Sequence, residues 1–207
     1  RQRAEDRQEL LSGLRSSMAG LAPGVKAVLE ARQRLSGIIG PVTELLQVPP
    51  ELERAIESAL GTYGQALVVE RWEDASGAIA ELRRQDSGWA TFLPLDSLSP
   101  SPTKLPPGDS EVIGLAQQLV TYETRFERVA QLLLGQVVVV KDLEAARRIR
   151  TRLQPGQRIV TLTGETVQST GVLSGGSARR DGGRLAQERE LRRAEPPLST
   201  PVLSGGS

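Results

Sequence analysis

The chain has 207 residues and a mass of 22.3 kDa, with 38% apolar and 25% charged residues and a formal net charge of +1. It contains no cysteine and no histidine. That excludes a disulfide framework, a thiolate metal site, a cysteine nucleophile, histidine-based triads and the usual zinc sites. Carboxylate, lysine and metal-carboxylate chemistry stay open, so the composition disfavours an enzyme without excluding one. No stretch approaches the length of uncharged apolar sequence that a membrane helix needs. The chain begins at Arg1 and shows no signal-peptide pattern, so it is read as a piece of a longer protein. Charge is unevenly spread: residues 20–100 hold 7 Lys/Arg against 11 Asp/Glu, and residues 141–207 hold 12 against 7. A neutral total with a basic C-terminal third points to a local anionic partner.

Residues 1–19 read as a helix. Ala4, Leu11, Leu14, Met18 and Leu21 lie on a heptad seam, with Arg7 in the missing position. Two heptads are too short to be stable alone, so this looks like the cut end of a coiled coil. Ala22-Pro23-Gly24 is expected to punctuate the chain, and residues 25–34 to continue as a short helix. Residues 37–41 predict a short strand, followed by a helix opened by Pro41. Leu52, Ala55, Ile56, Ala59 and Leu60 have helical spacing, with Gly61 as the stop. Residues 65–70 predict a strand. Residues 72–84 predict an amphipathic helix with Ala75, Ala78, Ile79 and Leu82 inward, and residues 89–95 a further strand.

Residues 97–109 hold four prolines and little core, and read as a linker or long surface loop. Beyond it the alternation resumes. A helix is expected over 126–134, stopped by Gly135, and a strand buried on both faces over 136–140. A helix over 143–153 and a strand over 158–162 follow, then short edge strands over 166–168 and 172–174. Residues 178–195 return to a charged helical pattern with Leu185 and Leu191 as sparse apolar positions, and residues 196–207 form an irregular tail. Strand–helix alternation on both sides of a Pro-rich linker, between two charged helices, suits an insertion at the tip of an antiparallel coiled coil.

Several runs carry a specific resemblance: GVKAVLEA (24–31), GIIGPVTELLQV (37–48), ERAIESALG (53–61), ALVVE (66–70), TFLPLD (91–96), LLLGQVVVVKDLEAA (132–146) and IVTLTGETVQSTGVLSGGS (159–177). In this order they resemble the hinge domain of SMC proteins of the bacterial condensin-like branch. The resemblance covers roughly residues 20–180. It implies a mixed α/β fold, with two pseudo-related subdomains (20–96 and 110–177) forming half of a ring between antiparallel coiled-coil helices. It also implies that two hinges join head to tail through two equivalent contacts, with edge strands of different protomers pairing. The implied function is to dimerise the arms of a chromosome-organising ATPase in the bacterial cytoplasm at the nucleoid, and to bind DNA without sequence preference near the coil junction. ATPase heads and kleisin-type subunits are implied only for the longer protein. No cofactor, metal or membrane partner is implied.

The resemblance singles out Gly171, Val172, Leu173, Gly175 and Gly176 as dimer-interface residues. Glycines in short strands allow close backbone approach and unusual φ/ψ, and a strand pairing between chains uses both. The bland reading is a glycine-rich turn. Thr170 stands where the family usually places the first glycine. Arg179, Arg180 and Arg184 follow as a DNA-binding candidate, since cations that neutralise phosphates release counterions irrespective of sequence. The bland reading is a solvated helix start, and Asp181 weakens the run. Lys141, Arg147, Arg148, Arg150, Arg152 and Arg158 form a second basic region, read mainly as an outward, solvated face. Glu51, Glu53 and Glu57 read as a solvated helix face and not as a metal cage. Gly37 and Gly40 read as packing glycines.

LSGGS (173–177) mimics a signature of ABC-type ATPases, and VLSGGS recurs at 202–207. A phosphate loop is absent, and the only lysines are Lys26, Lys104 and Lys141. A nucleotide-dependent enzyme fragment is therefore a poor rival. A monomeric protein- or DNA-binding module is the stronger alternative. Nothing in the sequence explains the second VLSGGS, which follows a helix-breaking Pro196-Pro197.

Overall fold

A computed structural model describes residues 20–103, 105, 110–176, 185, 188 and 189. The heptad segment 1–19, the three junction arginines and the second VLSGGS lie outside the described residues. Helix α1 (Pro23–Glu30) starts earlier than the sequence suggests. Pro23 supplies a preset φ at the first turn, where its missing N–H costs nothing, so Pro23-Gly24 opens the helix instead of breaking the chain.

Strand β1 (Ile38–Pro41) runs into a single-turn helix α2 (Val42–Leu45), for which Pro41 is the N-cap. Helix α3 (Glu53–Leu60) ends at Gly61, and β2 (Leu67–Val69) follows. Helix α4 (Trp72–Gln85) then crosses over to β3 (Phe92–Pro94). The sheet order is β1-β2-β3, with β1 antiparallel and β3 parallel to β2. Ile79 does not point inward as expected: it is 39% exposed, while Ala75, Ala78 and Leu82 are buried.

The second sheet begins at β4 (Val112–Leu115), a strand the sequence reading missed because Gly114 interrupts its apolar run. Helix α5 (Glu127–Leu134), β5 (Val137–Val140), helix α6 (Leu143–Ile149) and β6 (Arg158–Thr161) follow. The hairpin partners β7 (Thr166–Gln168) and β8 (Leu173–Ser174) complete it. The order is β4-β5-β6-β7-β8, and only the β5–β6 pair is parallel. Helix α6 is shorter than expected, because residues 150–152 tighten into a 3-10 turn.

The central strands are buried on both faces, so their side chains alternate between two cores. Val68, Val137 and Val139 join a core shared by both halves of the chain, together with Ile56, Leu60, Phe126, Val129 and Leu134. Leu67 and Val69 face a second core under α1 and α4. Val138 and Val140 face a third under α6.

The two halves repeat one plan: strand, helix, antiparallel strand, crossover helix, parallel strand. The first strands share a register shift, between Ile38 and Gly40 in one half and between Val112 and Gly114 in the other. Gln47 and Thr121, 74 positions apart, exchange both backbone hydrogen bonds at 2.8 and 2.9 Å. Helices α3 and α5, at the same offset, pack on each other. A local pseudo-two-fold therefore passes between the halves. The duplication is visible in the sequence once sought: Glu53-Arg54 to Gly61 aligns with Glu127-Arg128 to Gly135.

Candidate dimer edge and basic surface

The last hairpin places the predicted interface residues together on one rim. Strand β8 is the terminal strand of its sheet and pairs on one side only among the described residues. Residues 171–176 are all exposed, with Val172 at 52% and Leu173 at 59%. Two exposed apolar side chains on an open strand edge form a template for another strand, a feature that isolated proteins normally blunt with charge or proline.

Gly171 and Gly175 serve different ends. Gly171 has φ +94°, where a side chain is strained. Gly175 has no such φ, but a Cβ there would lie 2.7 Å from Glu165 Cγ. It is required for close approach. At Thr170, the departure from the family pattern, the hydroxyl lies 3.4 Å from Gln168 Oε1. Beside this rim a groove of about 340 Å³ is lined by Leu143, Arg147, Arg150, Val167, Gly171 and Leu173. Arg150 thus flanks the edge strand instead of standing apart on a solvated helix.

The rest of the second basic region divides. Lys141 pairs with Glu111 at 3.4 Å and Arg147 with Glu144 at 3.9 Å, all on exposed or half-buried side chains where such pairs contribute little. Arg158 departs furthest from the expected outward face. Its Nη2 donates to the Ala59 carbonyl at 2.9 Å and to the Leu133 carbonyl at 3.2 Å. Burial pushes its guanidinium below the ordinary arginine value. Ala59 and Leu133 are repeat-equivalent, in the last turns of α3 and α5. Arg158 therefore clamps the two helices where the pseudo-symmetry brings them together.

The carboxylates on α3 also differ from the expected solvated face. Glu53 accepts from Arg189 Nη1 at 2.6 Å and Glu57 from the Leu185 backbone N–H at 2.7 Å. Leu185 is 4% exposed and joins the shared core. The sequence marked Leu185 as an apolar position of the returning segment, but not what it packs against. Gly37 lies under Asp74, whose Oδ1 accepts from Ser36 Oγ at 2.6 Å and whose Oδ2 accepts from the Arg71 N–H at 3.1 Å. That is a packing role. No helix among the described residues is long and apolar enough to cross a membrane.

The family model for the SMC proteins Flexible Hinge Domain matches residues 35–150. The chain is 35% identical over 196 residues to the chromosome partition protein Smc of Bacillus subtilis (strain 168), covering 92% of this chain and 16% of the relative. It is 32% identical over 196 residues to the Smc protein of Lactiplantibacillus plantarum, covering 91% and 16%. The chain thus spans about a sixth of the length of these relatives. Among solved structures, the asymmetric dimer of the Geobacillus stearothermophilus SMC hinge domain matches at TM-score 0.81 and 36% identity, over 93% of this chain and 79% of that one. The Pyrococcus furiosus SMC hinge domain matches at TM-score 0.64 and 30% identity, over 85% and 91%. With its two-sheet α/β architecture and these matches across both halves, the chain belongs to the SMC hinge domain family.

Proposed function

We propose that this chain is the homodimerisation hinge of a bacterial chromosome-partition ATPase, joining two coiled-coil arms at the nucleoid. The reading rests above all on the exposed rim of Gly171, Val172, Leu173, Gly175 and Gly176, where β8 leaves an open strand edge. The internal repeat supports a receiving edge. In the second half β7 covers the outer edge of β6, whereas the equivalent edge of β3 carries no strand among the described residues. Pro94 on β3 suits an edge strand. In this reading β8 of each copy lies along β3 of the other, the contact occurs twice, and a closed two-fold ring results. Residues 20–96 and 110–177 act as its two subdomains, with 1–19 and 178–195 as coil ends. That the similar Geobacillus stearothermophilus SMC hinge domain is an asymmetric dimer supports self-association. Sedimentation equilibrium over a concentration range is expected to give a dimer of twice the 22.3 kDa chain mass. A persistent monomer would reject the reading in favour of a monomeric binding module.

The basic C-terminal third supports sequence-independent DNA binding through Arg179, Arg180 and Arg184 at the coil junction. Replacing Arg179 and Arg180 by glutamate is expected to weaken duplex binding and lower the slope of log K against log salt by about 2, one for each lost phosphate contact. Fluorescence anisotropy at several salt concentrations checks this, and an unchanged slope would move DNA binding elsewhere. ATPase heads and kleisin-type subunits are partners of the longer protein in this reading.

A further inference from the structure

The strand on which the edge strand lies, β7, is entered from β6 through a fixed turn. The Thr161 N–H donates to the Glu165 carbonyl at 2.9 Å, and the Gly164 N–H to the Thr161 carbonyl at 3.0 Å. The Glu165 N–H donates to Thr161 Oγ1 at 3.1 Å. The Glu165 carboxylate in turn accepts from the Thr161 hydroxyl and, at 2.5 Å, from Thr163 Oγ1. These hydroxyls, Thr161 foremost, hold the carboxyl below the ordinary carboxylate range. Thr161 is fully buried, so one end of this network is immovable.

The turn also rests on α3. A Cβ on Gly164 would lie 2.8 Å from Ser58 Oγ and 3.4 Å from both Arg54 Cγ and the Arg54 carbonyl oxygen. On its opposite side the same network touches the edge strand. Thr166 pairs with Ser174, so Glu165 stands across from Gly175 as the next pair of the hairpin. The hypothetical Gly175 Cβ lies 2.7 Å from Glu165 Cγ and 3.3 Å from its Cβ, which means that the Glu165 side chain lies flat against the Gly175 backbone.

A two-residue strand with one neighbour frays readily. Pairing with a second chain then requires ordering it, and that cost subtracts from affinity. A cross-strand contact held by a rigid turn reduces the cost in advance.

We infer that Glu165 is a positioning residue for dimerisation: locked by Thr161 and Thr163 over α3, it braces Gly175 and holds β8 in the conformation that a partner strand receives. This inference rests on the reading of β8 as the pairing strand. Nothing in the sequence patterns points to Glu165, since a lone carboxylate in a Thr-Gly-Glu turn reads as a solvated loop residue.

The test compares the full chain with Glu165→Ala, Glu165→Gln and Thr163→Val, by sedimentation equilibrium and by amide hydrogen exchange at Ser174, which is paired with Thr166, in dilute, monomeric samples. Glu165→Ala is expected to weaken the dimer about tenfold, because each cross-strand contact is modest and a two-fold dimer contains it twice. Exchange at the Ser174 amide should quicken in the monomer, which a defect confined to the interface itself would not cause. Glutamine keeps the methylene packing and an acceptor for the hydroxyls, so Glu165→Gln should restore both readouts nearly to wild type. Thr163→Val should fall between, and it supplies the measurement if the alanine variant unfolds. Unchanged affinity and exchange in Glu165→Ala would overturn the brace, as would equal losses in the alanine and glutamine variants. A wild-type chain that never dimerises, with exchange still quickened by Glu165→Ala, would instead overturn the pairing role of β8 and leave the brace of the strand standing.

Discussion

Arg158→Met is expected to lower the unfolding free energy by about 3 kcal/mol, one of the two largest effects predicted for this chain. The last carbonyls of any helix lack intrahelical donors and carry the negative end of the helix dipole. Helices α3 and α5 bring two such ends together, and the only described side chain donating to both Ala59 and Leu133 is Arg158. Methionine fills comparable volume but donates nothing, so both carbonyls lose a charge-assisted bond. The desolvation that lowers the Arg158 pKa offsets part of that loss when the cation is removed, which holds the estimate well under the sum of two full charged bonds. Lysine places a compact cation on a shorter stem without the planar fork, and is expected to recover only part of the loss. Urea unfolding followed by circular dichroism checks both variants. A change within about 0.5 kcal/mol for Arg158→Met, the range of an ordinary surface substitution, would show that the clamp adds nothing.

The glycine rim should respond in the opposite way, with association lost and stability kept. Replacing Gly171, Gly175 and Gly176 together by valine is expected to weaken the dimer by about a hundredfold or more while shifting the melting temperature little. All three are exposed, so the monomer can let the edge strand move and relieve the added side chains. Pairing removes that escape. At φ +94° a valine at 171 costs roughly 1–2 kcal/mol, and at 175 its Cβ meets Glu165. Each cost occurs twice in a two-fold dimer. Sedimentation equilibrium beside thermal melting separates the two effects. A triple variant that remains fully dimeric would show that the rim is not the contact, and one that unfolds would show that β8 belongs to the stability of the monomer.

Much of this architecture was legible from residue patterns. The alternation of Val137 to Val140 between two cores follows from an uninterrupted apolar run bounded by Gly135 and Lys141. The helix over 53–60 followed from its apolar spacing and Gly61. The glycine-rich rim follows from its family resemblance, and its strands fall at the short edge strands expected over 166–168 and 172–174. Strand β4 escaped because Gly114 sits within it, at a register shift that only its pairing with β5 reveals. Ile79 departs from its inward expectation because helical periodicity identifies an apolar stripe but not how far the neighbouring sheet extends to cover it.

The residues that the fold redirected share one property: their partners are remote in sequence. Arg158 reads as one more cation in a basic stretch, and its acceptors are 99 and 25 positions away. Glu53 and Glu57 read as a wet helix face, and they hold a segment more than a hundred positions later. The sequence by itself determined most of the helices and strands, though not β4, because periodicity and glycine or proline boundaries act over a few residues. Only the tertiary structure decided which charged groups are structural, which strand edge stays open and what supports it. Those outcomes depend on the pseudo-two-fold packing of the halves, and charge, unlike hydrophobic periodicity, carries no local mark of the partner it will meet.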